Sequence, residues 1–179
     1  VSISVHQGYP GRFVHLGHQR RIERNVRKSN LFAPVSFVEG WAHYCEQMMV
    51  EQGVAEGNDG VELAQIAEIL LKLARMVVGI RLHTEDMSVE QGVRFFQDEA
   101  YLEEVTARRE AERGTFDPAY VLSAAGRLML RKLREDVESR EGASFSLKSF
   151  HDRLLGHGSI PVWLHRTLML GDTGDDLLD

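Results

Sequence analysis

VSFVEGWAHYCEQMMVEQG, residues 35–53, is the stretch whose reading decides the fold class. Phe37, Trp41, Tyr44 and Met48 recur at helical spacing, which gathers the largest apolar side chains on one stripe of a helix. Gly53 follows the last turn as a stop. The same periodicity returns along the chain. Residues 61–83 read as a long helix, with Ile66, Ile69, Leu70, Leu73, Val77 and Ile80 on a broad apolar face. Ser88 and Gln91 make a capping box for SVEQGVRFFQDEA. Residues 102–113 are polar and read as an exposed helix. In FDPAY, Asp117 is placed as cap and Pro118 in the first helical position of a helix reaching residue 139. Further helices are expected at 13–28, at 146–155 and after Pro161. VSISV, residues 1–5, alternates and reads as a short strand. The expectation is one all-α domain of about seven or eight helices with one short N-terminal strand. It spans residues 1–170 and is followed by an acidic tail, GDTGDDLLD, at 171–179.

The chain has 179 residues, enough to bury a core without staples, and its 43% hydrophobic and 27% charged content excludes disorder. A net charge of −6 excludes nucleic acid and anionic membranes as default partners. The basic run RRIERNVRK places Arg20, Arg24 and Lys28 on one helical stripe, read as a solvated face. The single cysteine, Cys45, allows no intrachain disulfide and reads as a small core residue. No apolar run reaches the length of a membrane span. The chain starts at VSISVH without a methionine or a signal peptide. It is therefore read as part of a longer protein, whose N-terminal region is an expected partner.

Two stretches carry candidate chemistry. In VEGWAHYCEQ, Glu39, His43 and Glu46 stand at i, i+4 and i+7 on one stripe. They either share a metal ion or form an exposed acid–histidine pair. In VHQGYPGRFVHLGH, His6 is followed by Gln7 and not by the glutamate of H-E-x-x-H. Taken alone, this second stretch is a turn leading into a helix. Arg81 and His83 lie near a helix end, where cations complement the dipole, or else face a cleft. His157 sits in a Gly-rich turn that either caps a helix or approaches a ligand. Arg127, in the late helix, joins the binding candidates. Trp41 and Trp163 read as core, with Trp41 kept as a binding candidate, and Met48 and Met49 as packing residues.

HQGYPGRFVHLGH, FVEGWAHYCEQMM, ARMVVGIRLHTEDMSVEQGVRFF, GTFDPAYVLSAAGRLMLRKLRED and FHDRLLGHGSIPV occur in this order. The series resembles the C-terminal part of domain-of-unknown-function family 885, bacterial proteins similar to zincin-type zinc peptidases. The resemblance covers nearly the whole chain. It implies a mostly helical, metallopeptidase-like fold with a metal held near the first motif. His6 matches the family's first histidine, Pro10 and Gly11 its turn, and Glu39, Gly40, Trp41, Ala42 and Tyr44 its second motif. Asp117, Pro118 and Tyr120 match a late helix start whose tyrosine would polarise a carbonyl oxygen. Gln7 stands where the family has its general base, and Arg12 where it has its second histidine. A glutamine cannot accept the water's proton, a contribution of about 10²–10⁴ in rate. A guanidinium donates only and repels a cation.

These departures give the functional expectation. The metal site is inactivated, and the domain retains a cleft for a peptide or small molecule, or a structural role. Arg12 is expected to pair with Glu39 in place of the ion. No cofactor is expected unless zinc returns through a rebuilt site using His6, His15 and Glu39. The alternatives are an active metal-dependent hydrolase with such rearranged ligands, and a helical scaffolding or homodimerising domain. If the missing N-terminal region has no signal peptide, a cytoplasmic location is expected rather than a secreted one.

Overall fold

The structure is a computed structural model and describes residues 2–171. The chain runs through α1 (Ser2–Gln7), α2 (Arg12–Gln19), α3 (Asn25–Lys28), α4 (Val35–Glu51) and α5 (Asp59–Thr84). It continues through α6 (Val89–Ala100), α7 (Glu104–Phe116), α8 (Leu122–Glu141), α9 (Leu147–Gly156) and α10 (Val162–Leu170). Short 3-10 turns lie at Pro118–Val121 and Gly142–Ser144. The single turn α3 aside, about nine helices make an all-α domain, and no strand occurs among the described residues. Apart from Gly171, the acidic tail lies outside the described residues.

Two of the expected elements are corrected. The alternating residues 2–5 do not extend; they begin α1, which buries Val5 and packs on α4. Five residues are too few for a period of two to be told from a helical turn whose inner face is a single valine. The helix expected at 13–28 breaks after Gln19. Arg20, Arg24 and Lys28 repeat like charge at i, i+4 spacing, which opposes a helix there. Only α3 forms in that run, with no buried residue.

Other elements follow their local chemistry. The Ser88 hydroxyl accepts from the Gln91 N–H at 3.2 Å, and the Gln91 side chain accepts from the Ser88 N–H at 2.8 Å, closing the capping box of α6. Asp117 precedes a 3-10 turn and gives no side-chain cap, because its carboxylate is held by Arg113. α7 is not exposed all round: Ala107, Ala111 and Gly114 are buried on its inner stripe.

The core has two centres. Phe37, Trp41, Tyr44, Leu130, Leu133, Phe150 and Leu154 join α4, α8 and α9. Ala74, Val78, Phe96, Ala107 and Ala111 join α5, α6 and α7. On α5 the deepest side chains are Gln65, Ala74 and Val78, while Ile66 and Ile80 of the expected apolar face are exposed. Trp163, expected in the core, is 46% exposed on α10. The most extensive helix pair is α4 with α8. Gly40 of α4 meets Gly126 of α8 at their crossing. The glycine of EGWA is thus where a second backbone arrives.

Candidate functional site

The site is built where α1 and α2 meet α4. The link between α1 and α2 passes through a cis Tyr9–Pro10 peptide. The Trp41 indole N–H donates to the Gly11 carbonyl at 3.1 Å and fastens this turn to α4. A Cβ on Gly11 would lie 2.1 Å from the His6 carbonyl oxygen, so the turn admits no side chain. Gly-Trp-Ala and Pro-Gly therefore act together: the tryptophan of one motif holds the turn of the other.

This fastening sets His6 between two carboxylates of α4. Its Nδ1 lies 2.6 Å from Glu46 Oε1, and its Nε2 lies 3.9 Å from Glu39 Oε2. Glu46 also accepts from the Ser2 hydroxyl at 2.5 Å, with the Lys72 ammonium of α5 at 3.8 Å. Burial pushes the Glu46 carboxyl up, but His43 at 3.7 Å, the bonds to His6 and Ser2, and the Lys72 charge outweigh it and hold its pKa well below the usual carboxylate range. Arg12 Nη2 donates to Glu39 Oε1. The expected Arg12–Glu39 pair is present in the structure, half-exposed at the rim of a cleft.

The residues present do not fit a zinc ion. Only His6 Nε2 and Glu39 face one another across the site, and the Glu39 carboxylate is taken by a guanidinium that cannot ligate. Among the described residues no group of three His, Cys, Asp or Glu side chains is arranged to hold a metal. His15, the candidate replacement, turns its Nε2 to Ser159 Oγ at 2.8 Å. Burial, with His18 and Arg12 nearby, lowers its pKa to about 4. His43 does not form an exposed pair with a glutamate; it is fully buried beneath Glu46, and its two ring nitrogens lack hydrogen-bond partners.

Three hollows surround these groups. A small one of about 110 Å³ is lined by Ser2, His6, Gln7 and Glu46. One of about 340 Å³ lies between Arg12, Leu16, Ala33 and Val38. One of about 370 Å³ lies between Lys72, Arg75, Arg113 and Tyr120. Val35 and Glu39 line both of the larger two. Phe13, Leu31 and Phe32 are exposed on the described surface.

The remaining candidates scatter. Tyr120 lines the hollow of about 370 Å³, but its hydroxyl is buried without a partner among the described residues, packed so closely on α7 that a Cβ on Gly114 would lie 2.4 Å from it. Burial pushes its pKa up to about 12. His83 Nε2 meets the Gly114 carbonyl at 2.9 Å. Arg81 pairs with Glu85 at 3.4 Å and lies over Phe95. Neither lines a hollow around Glu39. His157 Nδ1 lies 3.4 Å from His165 Nδ1, far along the chain from the first motif. Arg127 is 3% exposed and donates to Gln47 at 2.5 Å. Trp41 is buried in the core. The sequence reading missed Lys72 and Arg75, although two cations interrupting an apolar helix are a visible signal. The sequence places Glu46 on the stripe of Glu39 and His43 but carries no sign that it partners His6.

Residues 1–169 match the family described as "Bacterial protein of unknown function (DUF885)", and the chain belongs to that family. Among solved structures it is similar to a "putative lipoprotein of unknown function" from Shewanella oneidensis, at 28% identity and a TM-score of 0.89. It is also similar to a structure described as "the putative lipoprotein from Colwellia psychrerythraea", at 27% identity and a TM-score of 0.83. The matches cover 94% and 92% of this chain but 31% and 28% of those chains. A comparison with curated proteins gave no match. The expected cytoplasmic location is overturned by these relatives, both of which are described as lipoproteins. Among the described residues, no helix is long and apolar enough to cross a membrane.

Proposed function

We propose that this domain is metallopeptidase-like, with the metal place converted into an ion pair, and that it binds a peptide or small molecule in the adjoining cleft without hydrolysing it. The Arg12 guanidinium on Glu39 carries this reading. It puts a fixed positive charge beside His6, where a zinc ion would need a third neutral or anionic donor. Gln7 removes the proton acceptor that a zinc-bound water requires. The setting of His6 persists: a carboxylate on Nδ1 is the arrangement that orients a metal-ligating imidazole. Zinc content tests the proposal. Protein purified without chelator is expected to hold far less than one zinc per chain. The double variant Gln7→Glu, Arg12→His is expected to bind about one, through three ligands. Stoichiometric zinc in the unaltered protein would overturn the reading.

We also propose that the domain works at the cell envelope, since the solved relatives are described as lipoproteins. Fractionation of the source cells should find it with the envelope. Recovery in the cytoplasmic fraction alone would contradict this.

A further inference from the structure

The largest hollow beside Glu39 has a donor set that nothing in the ion-pair reading uses. Three cations line it, Lys72 and Arg75 from α5 and Arg113 from α7, against two carboxylates, Glu39 and Asp117. Both carboxylates are already committed. Glu39 holds Arg12, and Asp117 accepts from Arg113 Nε and Nη2 at 3.0 and 2.8 Å. Arg75 spends Nε and Nη2 on Glu110, at 2.7 and 2.5 Å. The Nη1 groups of both arginines carry no protein partner among the described residues, and neither does the Ser123 hydroxyl.

Lys72 stands apart. Its side chain is only 12% exposed, yet its ammonium makes no hydrogen bond to a described residue; the nearest carboxylate oxygens, of Glu68 and Glu46, lie 3.6 and 3.8 Å away. These two carboxylates offset its charge but are too distant to accept its hydrogen bonds, and an anion in the hollow would supply an acceptor. With each arginine of the lining already on a carboxylate, Lys72 is the cation left without a hydrogen-bonded carboxylate, and a single ammonium suits a monoanion better than a phosphate dianion. Across Val35 and Glu39, the neighbouring hollow offers Leu16, Ala33 and Val38 to an apolar group. An anion with an apolar arm would use both hollows and pass the Arg12–Glu39 pair between them.

We propose that this cleft binds the free C-terminal carboxylate of a short peptide, at Lys72, Arg75 and Arg113, with an apolar side chain of the peptide in the hollow beyond Val35. The proposal rests on the reading of the cleft as a retained peptide site and names the group that the site recognises. The test is calorimetric titration of the 179-residue chain with the tripeptide Leu-Ala-Ala and with its C-terminal amide, in carboxylate-free buffer. The acid is expected to bind with a Kd in the millimolar range or below. The amide should bind at least about tenfold more weakly, the loss of one charge-assisted hydrogen bond. Lys72→Met should weaken the acid by about tenfold and leave the amide unchanged. Arg113→Ala, at a more exposed pair, gives the same comparison if Lys72→Met fails to fold. Equal binding of acid and amide would overturn the carboxylate assignment while leaving a peptide cleft standing. Binding of neither would overturn both.

Discussion

Gly126→Ala should destabilise the domain by about 2–4 kcal/mol, a fall in Tm of about 5–15 °C for a domain of this size. An alanine normally favours a helix interior over glycine by about 1 kcal/mol. Here that gain is outweighed. A Cβ on Gly126 would sit 1.8 Å from the Ser36 carbonyl oxygen and 3.0 Å from the Gly40 Cα. Both neighbours are backbone, so no rotamer change relieves the clash, and α4 and α8 must separate. That separation loosens the packing of Phe37 and Trp41 with Leu130 and Leu133, the larger core. Gly17→Ala on α2 is the control, because a Cβ there meets nothing within 4 Å. It should be neutral or stabilising by up to about 1 kcal/mol. Urea unfolding of both variants checks the pair. If the two glycines respond alike, α4 and α8 do not cross as closely as the structure shows.

The crossing also shows what a sequence can and cannot say. The apolar stripe of residues 35–53 was legible because Phe37, Trp41 and Tyr44 mark one face of one helix, and the Ser88 capping box because its partners are three residues apart. Gly40 was legible only as a member of a motif. Its physical reason is Gly126, which lies on another helix and carries no signal of its own. The site divides in the same way. His6, Arg12 and Glu39 could be paired through the resemblance, and the structure joins Arg12 to Glu39. Glu46 stood on the same stripe as Glu39, two turns on. That it would reach Nδ1 of His6, with Lys72 arriving from α5, depends on α1 lying across α4. The alternation of residues 2–5 offered no hint of that, since it concealed a helix. His43 was misplaced for a related reason. Glu39 and Glu46 share its helical stripe, which suggests a solvated face, yet it is fully buried.

Stability should fall steeply as pH drops from about 6.5 to about 4, by about 2–4 kcal/mol per pH unit near pH 5. The cause is a set of histidines that fold in the neutral form. His165, with no exposure, stacks on Phe37 at 4.4 Å, and burial, with His157 and His15 beside it, lowers its pKa to about 3. His15, between Phe37 and Ser159, is lowered to about 4. His151 is lowered to about 4 by burial and by Arg134, partly offset by Asp152, and its Nε2 lies 2.8 Å from the Tyr44 hydroxyl. In the unfolded chain each of the three titrates near 6.5. Below that pH the unfolded state binds protons that the folded state refuses, so stability is lost as pH falls, until the folded pKa values are reached. Each histidine contributes at most about 1.4 kcal/mol per pH unit. Three of them together remove much of the ordinary stability of a domain, about 5–15 kcal/mol. Glu46 acts in the same direction at lower pH. Its folded pKa is depressed, so its contribution is complete above the ordinary carboxylate range and is lost only below it. Urea titrations at intervals from pH 7 to pH 4.5 measure the slope, and His165→Phe should lower it by about 1.4 kcal/mol per pH unit. A flat profile would mean that these imidazoles take up protons in the folded state, and that the contact between His15 and Ser159 and the stack of His165 on Phe37 do not hold them neutral.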